Sequence, residues 1–112
     1  VQAKHGRINY KLWGSGDGSR PLVVTIHGLL GSMGAYTSMA PHLVREGFDV
    51  LAFDLFGFGL SDSPDARFRA GFYADQTMEL LSLIGYPETA RFDVLAYSMG
   101  GLVAMKLACR HP

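Results

Sequence analysis

Apolar residues along this chain fall into short continuous runs separated by stretches with helical spacing. Three of the runs, at 21–28, 48–55 and 92–98, consist mainly of strand-forming residues such as valine, leucine and phenylalanine. A continuous apolar run of this length is typical of a strand that is buried on both faces of a sheet. The alternation of such runs with helical segments predicts an α/β fold, and we find no internal repeat or linker in the sequence.

Three segments between and after these runs are predicted to be helical, at 35–46, at 70–84 and from Met99 to Arg110. The first contains Pro41, which a helix tolerates only near its first turn, and Gly47 provides a stop signal. In the second helix, residues at helical spacing form an inward face that consists of Tyr73, Thr77, Leu80, Leu81 and Ile84. The third helix is expected to direct three side chains inward, those of Leu102, Val103 and Leu107.

The N-terminal part of the chain has the pattern of a β-hairpin. Apolar and polar residues alternate over 7–12, which is the period of a half-buried strand. Residues 1–4 are predicted to form the partner strand, with His5 and Gly6 as the turn. The glycine-rich segment 14–19 resembles a phosphate-binding loop, but it lies between two predicted strands instead of opening a helix, so we interpret it as a turn.

The order of strands and helices also predicts where a ligand would bind. Crossovers between parallel strands are right-handed, so we expect a mostly parallel sheet with helices on both faces. Ligands in such sheets bind beyond the carboxyl ends of the strands. The three apolar runs end at His27-Gly28, at 54–57 and at Tyr97-Ser98. These three distinctive segments are therefore expected to meet at one edge of the sheet.

Composition limits the classes of function. The chain has 112 residues, 48% of them hydrophobic, so it is long enough for one domain with its own core. Lysine plus arginine and aspartate plus glutamate both number 10, and without a basic excess a nucleic-acid partner is not expected. No apolar stretch approaches the roughly 20 residues of a membrane span, so none is expected. The single cysteine, Cys109, cannot form an internal disulfide, which favours a reducing compartment and predicts a cytoplasmic protein.

The sequence implies neither a metal nor an organic cofactor. One cysteine and four scattered histidines do not have the spacing of metal ligands. Gly57 and Gly59 match the start of a dinucleotide-binding pattern, but Asp62 occupies the position where the last glycine would be required. We therefore interpret this segment as a tight loop in which Asp54 and Ser61 fix the backbone.

The segment LAYSMGG places Ser98 between a predicted strand and a predicted helix. A serine hydroxyl attacks a carbonyl only when it is held in an exposed turn and assisted by a base. A sharp strand-to-helix turn requires small residues two positions before and two positions after the serine, and Ala96 and Gly100 occupy these positions. The usual pattern has glycine at the first of them, so alanine is a mild departure. Ser98 is therefore a candidate nucleophile, and Gly100 is expected to support the turn.

A second loop is expected to contribute an oxyanion hole. Gly28 follows an apolar run and allows the backbone to turn, so that the amide of Leu29 points toward a substrate oxygen. The amide of Met99, at the start of the last helix, would be the second donor. His27 is predicted to hydrogen-bond backbone groups and hold this loop, because a catalytic base must reach Ser98 from a different loop.

These three segments together resemble a known family. HGLLGS (27–32), DLFGFGLSD (54–62) and AYSMGG (96–101), in this order and spacing, are similar to the N-terminal half of the α/β-hydrolase fold family. The resemblance extends over nearly the whole chain, from Arg7 to Arg110. It implies the branch with a serine nucleophile, because dehalogenases and epoxide hydrolases of this fold have aspartate at the position of Ser98. Esterases, lipases, lactonases, carbon–carbon bond hydrolases and perhydrolases all remain open.

The resemblance implies roles for individual residues. It makes Ser98 the nucleophile of an acyl-enzyme mechanism on a small ester-like substrate, with the amides of Leu29 and Met99 as oxyanion donors. In this family the acid and the histidine follow the nucleophile, but here the only later histidine is His111, at the far end of the last helix. We therefore expect residues 1–112 to be the N-terminal part of a single, incomplete α/β-hydrolase domain, with the acid and the histidine outside this chain.

The family's strand order leads to a further expectation, because the strand before the nucleophile is central in it. In this chain that strand would be left as an apolar edge, which is an aggregation hazard, so the remainder of the domain is required. The alternative hypothesis is a non-catalytic fragment or pseudoenzyme that binds a partner or a ligand. In either case, the 112-residue chain by itself is expected to be inactive.

Overall fold

The computed structural model describes residues 1–29, 31–65 and 67–111. A two-stranded hairpin and a four-stranded sheet are present in these residues. The strands are β1 (Gln2–Ala3), β2 (Gly6–Arg7), β3 (Tyr10–Trp13), β4 (Leu22–Ile26), β5 (Asp49–Phe53) and β6 (Phe92–Ala96). The helices are α1 (Ala40–Arg45), α2 (Ala70–Leu83) and α3 (Met99–Arg110), and a short 3₁₀ helix covers Met33–Tyr36.

The four-stranded sheet has the order β3-β5-β4-β6. β3 runs antiparallel to β5, whereas β5, β4 and β6 are parallel to one another. In the register, Val24 of β4 lies opposite Leu51 of β5 and Val94 of β6. The predicted α/β fold with a mostly parallel sheet is confirmed.

The connections between the parallel strands run in opposite directions along the sheet, and the point of this reversal is where a ligand is expected to bind. From β4 the chain passes through α1 to β5 on one side, and from β5 it returns through α2 to β6 on the other side. Right-handed crossovers in opposite directions put α1 and α2 on opposite faces of the sheet. α3 packs beside α2 and against β4 and β6. In sheets of this kind ligands bind at such a reversal, which here lies between the carboxyl ends of β4 and β6.

β4 and β5 form the centre of the sheet, and all of their residues are buried, as their apolar runs predict. β6 differs, because its residues alternate between half-buried and exposed, with Asp93 and Leu95 exposed. The prediction of a third strand that is buried on both faces is therefore wrong. The reason is its position, since among the described residues β6 pairs with β4 alone and forms an edge of the sheet.

The predicted helix at 35–46 is instead divided into the 3₁₀ helix and α1. Pro41 lies in the first turn of α1, where its presence was predicted to be tolerated. Proline has no N–H and disfavours a helical conformation in the residue before it, so a helix does not continue through Pro41 from the preceding turn. The hydroxyl of Ser32 accepts a hydrogen bond from the Gly34 amide and starts the separate 3₁₀ helix earlier in the chain.

The predicted bounds of α2 and α3 are confirmed to within one residue. Val103 and Leu107 of α3 are buried, but Leu102 is 59% exposed, so the expectation that all three point inward is wrong. Positions four apart share a helix face, whereas the position before Val103 is rotated from that face by about 100°. In the ranges that the structure describes, no helix has both the length and the apolar composition needed to cross a membrane.

The N-terminal hairpin is present, with its turn one residue earlier than predicted. β1 and β2 pair antiparallel with Ala3 opposite Gly6, so the turn consists of Lys4 and His5. The prediction of one strand over 7–12 is wrong, because β2 ends at Arg7 and pairs with β1, whereas β3 begins at Tyr10 and pairs with β5 at the other edge of the four-stranded sheet.

The glycine-rich segment connects β3 to β4, as its interpretation as a turn requires. The buried carboxylate of Asp49 accepts hydrogen bonds from the amides of Ser15 and Gly16, at 2.9 and 3.0 Å. Hydrogen bonds from Ser19 and Ser15 lower the pKa of the exposed Asp17 carboxyl to about 2. The backbone amides that a phosphate-binding loop would offer to a ligand are therefore already hydrogen-bonded to carboxylates of this chain.

Candidate active site

The carboxyl ends of β4, β5 and β6 come together, and the residues that follow them are in contact. A Cβ atom placed on Gly28, after β4, would lie 3.0 Å from Cβ of Ser98 and 3.0 Å from the carbonyl oxygen of Tyr97, after β6. The amide of Leu55, after β5, donates a hydrogen bond to Nε2 of His27 at 3.0 Å. The three segments that were expected to meet at one edge of the sheet are therefore adjacent.

Ser98 lies in the turn between β6 and α3 and has a strained backbone. Its φ of 56° and ψ of −122° are rare for a residue with a Cβ, and no other non-glycine residue in the described ranges has a positive φ. Such a conformation costs on the order of 1–3 kcal/mol and persists only where the surroundings fix it. The Gly100 amide donates to the Tyr97 carbonyl at 3.0 Å and closes the turn. Ser98 itself is exposed at the end of the sheet.

α3 begins in direct contact with the end of β4, and Gly100 makes this contact possible. A Cβ on Gly100 would lie 2.6 Å from the carbonyl oxygen of Ile26 and 2.8 Å from that of His27, closer than real Cβ contacts. Only a residue without a side chain fits here, because the neighbouring atoms belong to the backbone of a buried strand. Ala96, the departure from the usual pattern, is the half-buried last residue of β6.

His27 is buried, and both nitrogens of its ring contact backbone groups. Nδ1 donates to the carbonyl oxygen of Gly28 at 2.8 Å, and Nε2 accepts from the amide of Leu55 at 3.0 Å. The neutral tautomer with the proton on Nδ1 satisfies both bonds. The ring of Phe58 packs edge-on against the imidazole, with 5.6 Å between centroids. His27 thus joins the loop after β4 to the loop after β5 and has no ring nitrogen left for the hydroxyl of Ser98.

Two backbone amides at this edge, those of Leu29 and Met99, have no hydrogen-bond acceptor within residues 1–29, 31–65 and 67–111. Met99 is the first residue of α3, where an amide has no partner in the helix and the helix dipole favours negative charge. Leu29 lies in a turn that the Gly31 amide closes by donating to the Gly28 carbonyl at 3.0 Å.

The loop after β5 is fixed from one side by hydrogen bonds of its own residues. The Ser61 hydroxyl donates to the carbonyl of Asp54 at 2.7 Å and accepts from the amide of Asn9 at 2.9 Å. The Asp54 carboxylate accepts from the amide of Leu60 at 2.9 Å. These contacts confirm the prediction that Asp54 and Ser61 fix the backbone of this loop.

Two residues of α2 that were not predicted as loop supports hold the same segment from the other side. Oε1 of Gln76 accepts from the amide of Phe56, and its Nε2 donates to the carbonyl of Asp54, both at 3.1 Å. The Tyr73 hydroxyl donates to the carbonyl of Phe56 at 2.9 Å, and burial raises the pKa of this hydroxyl. The sequence feature that could have indicated these contacts is Gln76, which lies next to the predicted inward face of α2. A side-chain amide that is buried there requires hydrogen-bond partners.

The other histidines contact other parts of the molecule. His5 packs against Phe72 with 5.2 Å between ring centroids, His42 is exposed on α1, and His111 follows α3. Within the described part of the chain, no hydrogen bond joins a histidine to Ser98. The same residues contain no group of three or more His, Cys, Asp or Glu side chains arranged to hold a metal ion.

Exposed apolar side chains are present in each of the loops after β4, β5 and β6, and Leu60 of the loop after β5 is 83% exposed. Tyr97 is 74% exposed and Leu29 is 63% exposed. In contrast, Phe56 is buried and Phe58 is half-buried against His27, so the aromatic residues after β5 belong to the packing of the loop. Tyr97, Leu29 and Leu60 therefore contribute exposed apolar surface to the loops at this edge.

Comparison with known proteins shows which family the chain resembles. Residues 21–112 match the alpha/beta hydrolase fold family, which is well over half of the chain. Over 91 residues the chain is 37% identical to a probable lysophospholipase, BODYGUARD 4, of Arabidopsis thaliana. This match covers 80% of the chain and 21% of the Arabidopsis protein.

Solved structures of longer proteins superimpose on the whole chain. A bacterial membrane phospholipase A has a TM-score of 0.88 and 33% identity, over 100% of this chain and 34% of its own. A mutant of a putative epoxide hydrolase from Pseudomonas aeruginosa has a TM-score of 0.85 and 27% identity, over 100% of this chain and 36% of its own. The chain thus spans between about a fifth and about a third of the length of these three proteins. Sequence match and fold agree, and the chain belongs to the α/β-hydrolase fold family.

Proposed function

We propose that this chain provides the nucleophile and the oxyanion hole of a serine hydrolase that acts on ester-like or otherwise activated carbonyl substrates. The observation that supports this most directly is the strained turn at Ser98, which presents an exposed serine beside the amides of Leu29 and Met99. Strain at an exposed residue lowers stability, and it is expected where the conformation serves a reaction. A turn of this kind lifts a serine hydroxyl out of the end of a sheet and toward a bound carbonyl group.

In the proposed reaction, Oγ of Ser98 attacks the carbonyl carbon while a histidine outside these residues takes its proton. The carbonyl oxygen becomes an oxyanion, which the amides of Leu29 and Met99 stabilise by hydrogen bonds. When the tetrahedral intermediate collapses, the bond to the alcohol oxygen breaks, and the histidine returns the proton to the leaving alcohol. Water activated by the same histidine then hydrolyses the acyl-enzyme and regenerates the hydroxyl of Ser98.

The neighbouring residues have supporting roles in this proposal. His27 holds the loop after β4 and is not the base, since its two ring nitrogens already bond backbone groups. Gly28 and Gly100 allow the loop after β4 and the start of α3 to approach the serine closely. Neither a metal nor an organic cofactor has a part in the chemistry.

Residues 1–112 are, in this proposal, the N-terminal part of a single catalytic domain. β6, the strand before the nucleophile, forms an edge of the sheet in the described residues, and Leu95 is exposed there. The similar proteins named above are about three to four times as long as this chain. The remainder of the domain would cover this edge and supply the acid and the histidine. The alternative for the chain by itself is a non-catalytic fragment, which the absence of a histidine bonded to Ser98 in the described residues favours.

The serine favours a small-molecule ester over an epoxide as the substrate. Attack of Oγ on a carbonyl carbon gives an ester that water can hydrolyse, whereas attack on an epoxide would give an ether that water does not cleave. The exposed side chains of Tyr97 and Leu29 favour an apolar acyl group beside Ser98. Similarity to a probable lysophospholipase and to a phospholipase A supports the same class of substrate.

The test uses the full-length protein that contains this chain, with p-nitrophenyl butyrate as the substrate and a fluorophosphonate as the inhibitor. We expect hydrolysis that the fluorophosphonate abolishes irreversibly and with first-order kinetics, because it phosphonylates an activated serine. Residues 1–112 alone are expected to show neither reaction. Hydrolysis that resists the inhibitor would contradict the serine mechanism, and rapid hydrolysis by residues 1–112 alone would contradict an external histidine.

Gly28→Ala is expected to lower kcat of the full-length protein for p-nitrophenyl butyrate by about 10–100-fold. The added methyl group would meet the Ser98 Cβ and the Tyr97 carbonyl oxygen at 3.0 Å, so the loop must shift and carry the amide of Leu29 away from the nucleophile. Gly101→Ala is the control, because a Cβ at this position meets nothing within 4 Å. Steady-state kinetics on both variants measure the effect, and an unchanged kcat in Gly28→Ala would refute the close contact.

A further inference from the structure

Asp54 has a buried carboxylate whose hydrogen bonds extend beyond its own loop. The residue is 1% exposed, and none of the ion pairs in the described residues includes it. Its oxygens accept hydrogen bonds from three N–H groups, those of the Asn9 side chain at 2.8 Å, the Met33 amide at 2.7 Å and the Leu60 amide at 2.9 Å. A carboxylate buried without a cation is costly, so these donors must compensate for the lost water.

The three donors belong to three separate segments of the chain. Asn9 precedes β3, Leu60 belongs to the loop after β5, and Met33 begins the 3₁₀ helix. One side chain therefore joins the N-terminal region, the loop after β5 and the segment that follows β4. The bond to Met33 is the one that reaches the proposed oxyanion hole.

Residues 28, 29 and 31–33, which we call the oxyanion loop, are held at both ends by side chains from their surroundings. At the start, Nδ1 of His27 donates to the first carbonyl of the loop at 2.8 Å. At the end, Oδ1 of Asp54 accepts from the amide of Met33 at 2.7 Å. Leu29 lies between these two anchors, so a shift at either end moves its amide relative to the nucleophile.

We propose that Asp54 is a positioning residue for the oxyanion hole. Its carboxylate fixes the far end of the oxyanion loop and thereby sets where the amide of Leu29 meets the developing negative charge. This inference rests on the proposed function, because it concerns an amide that acts only if Ser98 attacks a carbonyl.

Asp54→Asn tests this role because it keeps the shape of the side chain and changes one acceptor atom into a donor. If the new NH₂ replaces Oδ1, it faces the amide of Met33. If it replaces Oδ2, it faces the N–H groups of Leu60 and Asn9. Either orientation places donors against each other, so at least one of the three hydrogen bonds to this side chain is lost, and the side chain no longer holds its position against the oxyanion loop.

We expect Asp54→Asn to lower kcat for p-nitrophenyl butyrate by about 10–100-fold, while KM changes by less than about threefold. A displaced oxyanion donor weakens binding of the transition state more than binding of the substrate. Asp62→Asn is the control, because its carboxylate lies on the same loop and accepts the Arg7 amide at 2.8 Å. Its kcat should stay within about twofold of the unaltered protein.

Met33→Pro removes the hydrogen bond between Met33 and Asp54 by removing its donor, and it tests the role of this bond if Asp54→Asn does not fold. Proline removes the N–H of Met33 and is suited to the first position of a helix. The preceding residue, Ser32, has the extended backbone that proline requires, with φ of −157° and ψ of 173°. We expect the same selective loss of kcat as in Asp54→Asn.

Hydrogen exchange on peptides that cover the oxyanion loop gives a second measurement that does not depend on turnover. In Asp54→Asn, exchange of the Met33 amide should become faster than in Asp62→Asn at equal global stability. Unchanged kcat in both anchor variants, in a protein that Ser98→Ala inactivates, would overturn this inference alone. A loss of kcat that only matches the unfolded fraction, without faster local exchange, would overturn it too. If the unaltered protein shows no hydrolysis that depends on Ser98, the proposed function falls and this inference with it.

Discussion

Replacing Ser98 with alanine is expected to lower kcat of the full-length protein for p-nitrophenyl butyrate by at least about 10⁴-fold. The substitution removes Oγ, the atom that forms the acyl-enzyme, and leaves the amides of Leu29 and Met99 unchanged. This is the largest effect that we expect on activity, because every later step requires the covalent intermediate. Steady-state release of p-nitrophenol at equal concentrations of folded protein measures it.

Ser38→Ala is the matched control for this variant. Ser38 is also an exposed serine and lies in the turn before α1, so its kcat should stay within about twofold of the unaltered protein. Alanine keeps a Cβ at position 98 and therefore keeps the strained backbone, so Ser98→Ala should unfold at nearly the same temperature as the unaltered protein. Retention of more than about a tenth of the activity in Ser98→Ala would exclude Ser98 as the nucleophile.

Gly100→Ala and Gly101→Ala are expected to change stability in opposite directions. The methyl group at position 100 would lie 2.6 Å from the carbonyl oxygen of Ile26, so α3 must move away from β4, at a cost of about 1–3 kcal/mol in the free energy of unfolding. At position 101 the same methyl group meets nothing within 4 Å. Alanine is a better helix former than glycine, so Gly101→Ala should gain about 0.5–1 kcal/mol.

Urea unfolding of the two variants, each compared with the unaltered protein, measures this difference. Both variants change the same residue type on neighbouring positions of one helix, so differences in helix propensity cancel between them. Equal stability of the two would mean that the first turn of α3 does not press against β4, and the contact that fixes the turn at Ser98 would then be absent.

The sequence predicted the elements whose own pattern determines them. The bounds of α2 and α3 follow from helical spacing and from the residues that stop a helix, and both are found within one residue of the prediction. The apolar runs of β4 and β5 predicted full burial because these strands lie at the centre of the sheet. The convergence at one edge followed from topology, since parallel strands bring their carboxyl ends together.

Features that depend on a neighbour were not predictable in the same way. β6 has an apolar run like that of β4, but its burial depends on whether a strand lies on each side. The run itself does not contain that information, and only the strand order of the similar family predicted the edge that is found. Leu102 has the same character as Leu107, and only the direction of the helix face separates the buried residue from the exposed one. The helix predicted over 35–46 placed Pro41 beyond its first turn, and neither the start of α1 at Ala40 nor the separate 3₁₀ helix was predicted.

Within the site, the backbone roles were more predictable than the side-chain contacts. Gly28 and Gly100 could be assigned from their place beside strand ends, because a close approach of backbones requires glycine. The contacts of Gln76 could not, since they join a helix to a loop about twenty residues away in the chain. The bond from Met33 to Asp54 likewise depends on the folded arrangement of two loops.

Mapping the modified residue after fluorophosphonate treatment is the most direct test of the claim that Ser98 is an activated nucleophile. Trypsin cleaves after Arg91 and Lys106, and the peptide 92–106 contains Ser98 as its single serine. For the full-length protein we expect one adduct per molecule, located on this peptide and abolished by Ser98→Ala. An adduct on another peptide, or ester hydrolysis with no adduct at Ser98, would contradict the claim.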